Sequence, residues 1–451
     1  MPFKEFAVLS AGFSKSNISP PIGVPLAGFA ARNGVCEGIH DDLFARALVL
    51  ENGGVAIAFV SVDVLALPAA FVSEVRENIQ AETGIRREAI VIASTHTHAG
   101  PVTVKTFFNP DDSLDQGIMK RIANAIVESV DAAWRSRRPA RVGVGSGRVD
   151  GIGVNRRTPD KMPVDAEIGI IKVEDESRRV RAVLVNYSCH PTVLGSDNLL
   201  ATGDFPYFAV EAIEREIGAE GFAMFVNGTQ GNISMGHSSE LSAIGVITPG
   251  RTFEHAGELG SKLGAATMAA LDEIETSDSP RIDSVVSEVR FPIKDLPDVK
   301  TAEELLIMAD KELQELSGNG ALEESLMKAK SKRLYASITD FYAREMSEFR
   351  DEGLPVELQA ARIDNAMFLA VPAEVFVEIG LEIKRRAKHK TYIIGIANGY
   401  IGYLPTEAAH ADNGYEVVSS KVAPRSEAIL YKEAAMLEGR VFAVQEETQQ
   451  T

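Results

Sequence analysis

Short apolar runs bounded by turn residues alternate along the chain with stretches whose apolar positions recur every three to four residues. The runs at 45–50, 55–62, 89–93, 183–187, 223–226, 367–371 and 392–396 predict strands. The periodic stretches at 119–133, 206–217 and 254–273 predict helices. This alternation predicts an α/β fold with a mixed, largely parallel central sheet flanked by helices. Residues 300–350 differ. Thr301-Ala-Glu-Glu304 has the capping-box pattern and opens a long charged, amphipathic stretch broken by Gly318-Asn-Gly320. It reads as a helical hairpin inserted into one catalytic domain spanning 1–451. Residues 446–451 are expected to fray. Val142-Gly-Val-Gly-Ser-Gly147 has neither dinucleotide-fingerprint nor P-loop spacing, so it reads as a strand with small residues on one face.

Composition narrows the function classes. The 46 basic and 64 acidic residues leave a net charge of −18, which argues against nucleic-acid binding and against docking on anionic membrane by charge. No run of about 18 apolar residues is present to span a membrane. Two cysteines, Cys36 and Cys189, make no disulfide framework. With no cleavage signal at the N-terminus, a cytoplasmic protein is expected. The sequence leaves the oligomeric state open, a homo-oligomer included.

The chemistry gathers where apolar runs end. The run at 89–93 leads into Thr95-His96-Thr97-His98, and 183–187 into Cys189-His190-Pro191. The run at 223–226 leads into Asn227-Gly-Thr-Gln-Gly-Asn232-Ile-Ser234, 367–371 into Pro372-Ala-Glu374, and 392–396 into Tyr400 and Tyr403. Ligand sites of α/β sheets lie at the carboxyl ends of parallel strands. If these strands are neighbours, the five ends converge on one crevice, and two imidazoles with a carboxylate suit a catalytic zinc with a position left for water or substrate. On the residues alone, both His96 and His98 are candidate ligands, because positions i and i+2 of a strand share a face. Cys189 reads as a small buried residue ahead of a thiolate ligand. His40, His237, His255, His389 and His410 sit in polar stretches, and His237 is the nearest of them to Ser234. Phe107-Phe108 is either an apolar lip or a pair of core residues at a loop edge.

These motifs, in this order, resemble the neutral/alkaline non-lysosomal ceramidase family. The likeness runs from Ala11-Gly-Phe-Ser-Lys-Ser-Asn-Ile-Ser-Pro-Pro21 through Gly38-Ile-His-Asp-Asp-Leu-Phe-Ala-Arg-Ala47, Ser94-Thr-His-Thr-His98, Gly153-Val-Asn-Arg-Arg157, the His190-Pro191 and Ser234 motifs and Pro372-Ala-Glu374 to the C-terminal tyrosines. The resemblance implies one zinc per chain, held by His96, His190, Glu374 and Tyr403. It implies His98, Arg156, Ser234 and Tyr415 as catalytic or substrate-contacting groups, with Arg157 the competitor for the arginine. It further implies hydrolysis of an amide bond in ceramide or a smaller N-acyl substrate. Longer members carry a C-terminal β-sandwich domain, which is not expected here. Two other readings compete. One is a serine hydrolase with Ser234 as nucleophile, His98 as base and Asp204 as acid, although Gly231-Asn-Ile-Ser234 is not a nucleophile elbow. The other is a catalytically degenerate family member that binds zinc or lipid.

Overall fold

The computed structural model describes residues 8–108, 114–158 and 163–443. The terminal segment 446–451, expected to fray, lies outside them. Two sheets face each other across a shared core. The larger has eight strands: β1 (Ser10–Asn17), β2 (Phe44–Asn52), β3 (Val55–Val62), β4 (Ile90–Ser94), β5 (Arg138–Arg148), β6 (Glu167–Asp175), β7 (Val180–Tyr187) and β8 (Phe222–Asn227). Their spatial order is β8-β7-β6-β5-β1-β2-β3-β4. The smaller runs in chain order through β9 (Ile282–Phe291), β10 (Leu354–Ile363), β11 (Ala366–Val371) and β12 (Lys390–Gly395).

Side-chain alternation builds the layers. Along β2, Leu48 and Leu50 point inward with Phe59, Ala93 and Met224 against Phe368, Tyr392 and Ile394 of the small sheet. The intervening Ala47 and Val49 point outward, under α1 (Ala69–Thr83) and α2 (Gln116–Arg135). The outer face of β7 and β8 is covered by α3 (Phe205–Ile217) and α4 (Phe253–Ala270). The small sheet carries the other helical layer. Residues 142–147 form part of β5 with small residues on one face, as expected. A Cβ on Gly143 would lie 2.0 Å from the Glu275 carbonyl oxygen, and one on Gly145 would lie 2.5 Å from Ile274, so the segment after α4 rests directly on these glycines.

The α/β class and the mixed, helix-flanked sheet are as expected, but the parallel majority is not. Five of the seven pairings in the large sheet are antiparallel. Part of the reason is local: β2 and β3 are joined by Gly53-Gly54, both with positive φ (61° and 85°), the backbone of a two-residue hairpin. Strands β1, β6, β9 and β10 fall outside the predicted runs because polar residues interrupt them. In β6, for example, Lys172 and Glu174 form a buried 2.7 Å ion pair. The parallel pairs are β3–β4, β7–β8 and β11–β12.

The hairpin at 300–350 is present as α5 (Val299–Gly318) and α6 (Glu323–Glu345). Its cap differs from the expected one. Asp298 precedes the helix and accepts from the Thr301 amide and hydroxyl, placing Thr301 inside the first turn. Leu334, Ile338 and Tyr342 of α6 lie four apart and enter the core beside the small sheet. Among the described residues, no helix is long and apolar enough to cross a membrane.

Candidate metal centre

The three parallel pairs contribute six strands, and the ends of five of them carry the residues singled out in the sequence. The sixth, β3, continues to Leu65, whose carbonyl accepts from His96 Nδ1 at 2.8 Å. His96 sits just beyond β4 at φ 70°, a conformation disfavoured for its type. Its amide donates to Val64 O and its ring to Leu65 O, so two bonds from the adjacent chain hold it there. His190, beyond β7, is anchored the same way, with Nδ1 2.6 Å from Gln230 O and 3.1 Å from Ile233 O. Glu374, beyond β11, begins a two-residue strand (Glu374–Val375) paired in parallel with Tyr403–Leu404, which sets Glu374 beside Tyr403.

These ends meet. Glu374 Oε2 is 2.9 Å from His190 Nε2 and 3.5 Å from His96 Nε2, and His98 Nε2 is 3.3 Å from His96 Nε2. The ligating atoms of His96, His98 and His190 all lie within 4.8 Å of one another. Tyr400 donates to the other oxygen of Glu374 at 2.6 Å. His190 is fully buried, and His96 and Glu374 are each 2% exposed, so almost no water reaches this set of lone pairs. Burial pushes the Glu374 carboxyl up, but the His96 and His190 imidazoles outweigh it and hold it well below the usual carboxylate range. Burial, with Arg156 nearby, lowers His190 to about 4. Burial and the neighbouring His96 and His190 bring His98 well below its ordinary value.

The donor set fits a metal ion. A ring whose Nδ1–H is tied to a backbone carbonyl presents its Nε2 lone pair, the arrangement typical of metal-ligating histidine. His96 and His190 both do so, and both face one oxygen of Glu374. His98 differs: its Nδ1 is buried with no hydrogen-bond partner among the described residues. Two imidazoles with carboxylate and phenol oxygens suit zinc, and the same donors accept manganese or iron.

Beside this corner lies a second buried chain. Arg156 donates through Nε to Glu416 (2.8 Å) and through one terminal nitrogen to Tyr403 Oη (3.0 Å) and Gly231 O (2.9 Å). Burial opposes the charge on Arg156, but Tyr403 and Glu416 more than offset it and raise its pKa. Arg157 turns instead to Glu416 and Asn413 O, so Arg156 is the arginine that reaches the tyrosine. Tyr415 begins α7 (Tyr415–Val418), and its ring meets Tyr403 edge-on at 6.2 Å. Ser234 is buried in a two-residue strand (Ile233–Ser234) paired with Val154–Asn155, and its hydroxyl donates to His237 O at 3.4 Å. It does not line the cleft over the corner. The Asp204 carboxylate accepts from the amides of Val193, Leu194 and Phe205 at the start of α3, and His98 Nε2 faces His96. Among the described residues, Ser234, His98 and Asp204 thus form no hydrogen-bonded chain. Cys189 is buried against Met235, and burial pushes its thiol up.

The cleft over the corner holds about 60 Å³ and reaches Phe107, Phe108, Phe341, Tyr342 and Tyr415 as well as the histidines. Phe107 and Phe108 therefore edge the cleft, Phe107 packing against the core beside the small sheet as well, and the hairpin supplies part of the wall. The sequence places Tyr400 at a strand end but assigns it no role, and it assigns Glu416 none. The spacing Tyr400-Ile-Gly-Tyr403 beyond a strand is the only signal for the first, and the Tyr415-Glu416 pair the only one for the second.

Comparison with known proteins points the same way. A family model described as neutral/alkaline non-lysosomal ceramidase, N-terminal, matches residues 10–239. Neutral ceramidase 2 of Arabidopsis thaliana is 27% identical over 203 residues, covering 41% of this chain and 27% of that protein. The rice neutral ceramidase match covers 26% of its protein, so the chain spans about a quarter of the length of these plant relatives. The neutral ceramidase of Pseudomonas aeruginosa is 23% identical over 478 residues, covering 92% of this chain and 70% of that protein. In fold, the crystal structure of neutral ceramidase from Pseudomonas aeruginosa matches with a TM-score of 0.73 at 19% identity, covering 96% of this chain and 74% of that one. A structure titled "Ceramidase complexed with C2" gives 0.73 at 18% identity, covering 97% and 76%.

Proposed function

The chain belongs to the neutral/alkaline non-lysosomal ceramidase family, and on that premise we propose that it is a zinc-dependent hydrolase of an amide bond in an N-acyl compound. Ceramide, the substrate named by its relatives, and a smaller amide are the two substrate classes. The observation that carries the reading is the convergence of His96, His190 and Glu374, with both Nδ1 atoms tied to backbone carbonyls. Tyr403 completes the set of protein ligands for one zinc. Bound there, the metal supplies Lewis acidity and brings the pKa of water near 7.

The rest of the work falls to the chain itself. The amide carbonyl enters the cleft, water adds to its carbon, the C–N bond breaks, and the nitrogen leaves as an amine after taking a proton. His98 is the group that moves that proton. Its Nε2 faces the corner, and its buried Nδ1 has no partner among the described residues. Tyr415 and His98 line the cleft where the oxyanion develops. Arg156 acts through Tyr403, holding its oxygen by a 3.0 Å bond. Ser234, outside the cleft lining, is a positioning residue that ties the His190 segment to the Arg156 segment.

The test is turnover of a panel of short-chain ceramides and N-acyl amines by the zinc-loaded wild type and a His98→Ala variant. The variant should retain its zinc and lose at least about 100-fold in rate. Absence of turnover across the panel with zinc bound would favour a degenerate binder. Inhibition by a serine-directed covalent reagent, with indifference to chelators, would move the reaction to Ser234.

A further inference from the structure

The cleft carries information about the substrate that the metal corner does not. Its capacity of about 60 Å³ is room for roughly four waters, far below the several hundred Å³ that enclose a drug-sized ligand. An amide group with a few flanking atoms fits it, and Phe107, Phe108 and Phe341 give its lining an apolar side.

The charge of this lining is opposite to that of the molecule. The chain carries −18, yet the cleft is lined by two lysines, Lys105 and Lys421, against one carboxylate, Glu374. Glu374 is already engaged by His190, His96 and Tyr400. Lys421 is paired with Glu345 at 2.9 Å. Lys105 is exposed and, among the described residues, makes no hydrogen bond or ion pair. A solvated cation without a partner among the described residues, at the mouth of an aromatic cleft on an acidic protein, suits the reception of an anion.

Resting on the amide-hydrolase reading, we propose that the substrate is a single-chain N-acyl compound bearing a carboxylate or similar anion, the chemistry of an N-acyl amino acid, with the anion received by Lys105 at the cleft mouth. Hydrolysis of such a compound consumes one water and yields a fatty carboxylate and a free amino acid. Its amide occupies the corner, and its acyl chain leaves along the phenylalanine side of the cleft.

The test separates binding from turnover. The zinc-loaded protein is titrated calorimetrically with N-(hexylsulfonyl)glycine and its uncharged glycinamide twin, which no amidase cleaves at the sulfonamide. The charged twin should bind about fivefold tighter at low salt. That preference should shrink with added salt and fall toward unity in Lys105→Met, whose exposed position spares the fold. Equal affinity for the twins, no binding of either, or a preference unchanged in Lys105→Met overturns the proposal. Turnover of N-hexanoylglycine is measured alongside. An anion preference without turnover would count against the hydrolase reading alone. Cleavage of neutral amides without an anion preference would count against the substrate class alone.

Discussion

The strand-end corner and the α5–α6 hairpin are held by opposite means. In the corner every charged group has a buried partner, and each anchored ring is tied to backbone that the sheets hold in place. The hairpin is laced by exposed ion pairs, Lys332–Glu312 and Arg333–Asp310 among them, and only the inner side of α6 enters the core. The two meet at the cleft, where Phe341 and Tyr342 of α6 face His96 and His98. The difference teaches that the place of the chemistry is set by the ends of three parallel strand pairs. One wall of the mouth comes from the hairpin, through Phe341 and Tyr342 on the inner side of α6.

The largest effect expected of this contrast comes from the corner's buried ion pair. Glu416→Ala leaves Arg156 charged and buried without its carboxylate, and chemical denaturation should report a loss of about 3–5 kcal/mol. A loss under 1 kcal/mol would mean that the corner is as loosely held as the hairpin.

Lys294 sharpens the boundary between the regions. Its ammonium donates to the carbonyls of Val417 and Val418 at the end of α7, and it stands 5.7 Å from the Tyr342 ring of the hairpin. Burial lowers its pKa to about 7, against about 10.4 in the unfolded chain. Between those values the unfolded chain binds the extra proton, so this residue makes stability rise as pH rises through that window, by at most about 1.4 kcal/mol per unit. Comparing urea unfolding of wild type and Lys294→Met from pH 6 to 10 should show a shallower rise in the variant. Parallel curves would contradict the assignment.

The smallest effect belongs to the hairpin surface. Arg333→Ala removes an exposed ion pair, and thermal unfolding should register no more than about 0.5 kcal/mol, with zinc content unchanged. A larger loss would mean that the hairpin is integral to the corner.

What was legible in the sequence follows the same division. His96, His98, His190 and Glu374 stood out because a polar residue after an apolar run is a local pattern, whereas the choice of His96 over His98 and of Tyr403 as ligands came from the family resemblance; the structure brings these ends together. The carbonyls that orient the rings, Leu65 O and Gln230 O, were not legible, since every residue offers the same group. Nor was Glu416 as the partner of Arg156, because 260 positions separate them. The preference for a parallel sheet overlooked Gly53-Gly54, a two-residue hairpin signal between two runs that were themselves identified correctly. The hairpin was legible as two helices, but the entry of Phe341 into the cleft depends on how α6 docks, which no local pattern encodes.

The central claim is that three parallel strand pairs assemble a metal-binding corner. Elemental analysis of wild type and His190→Ala, purified side by side with metal supplied, tests it most directly. The account predicts about one zinc per chain in the wild type and essentially none in the variant. No metal in either protein, or equal metal in both, would contradict it.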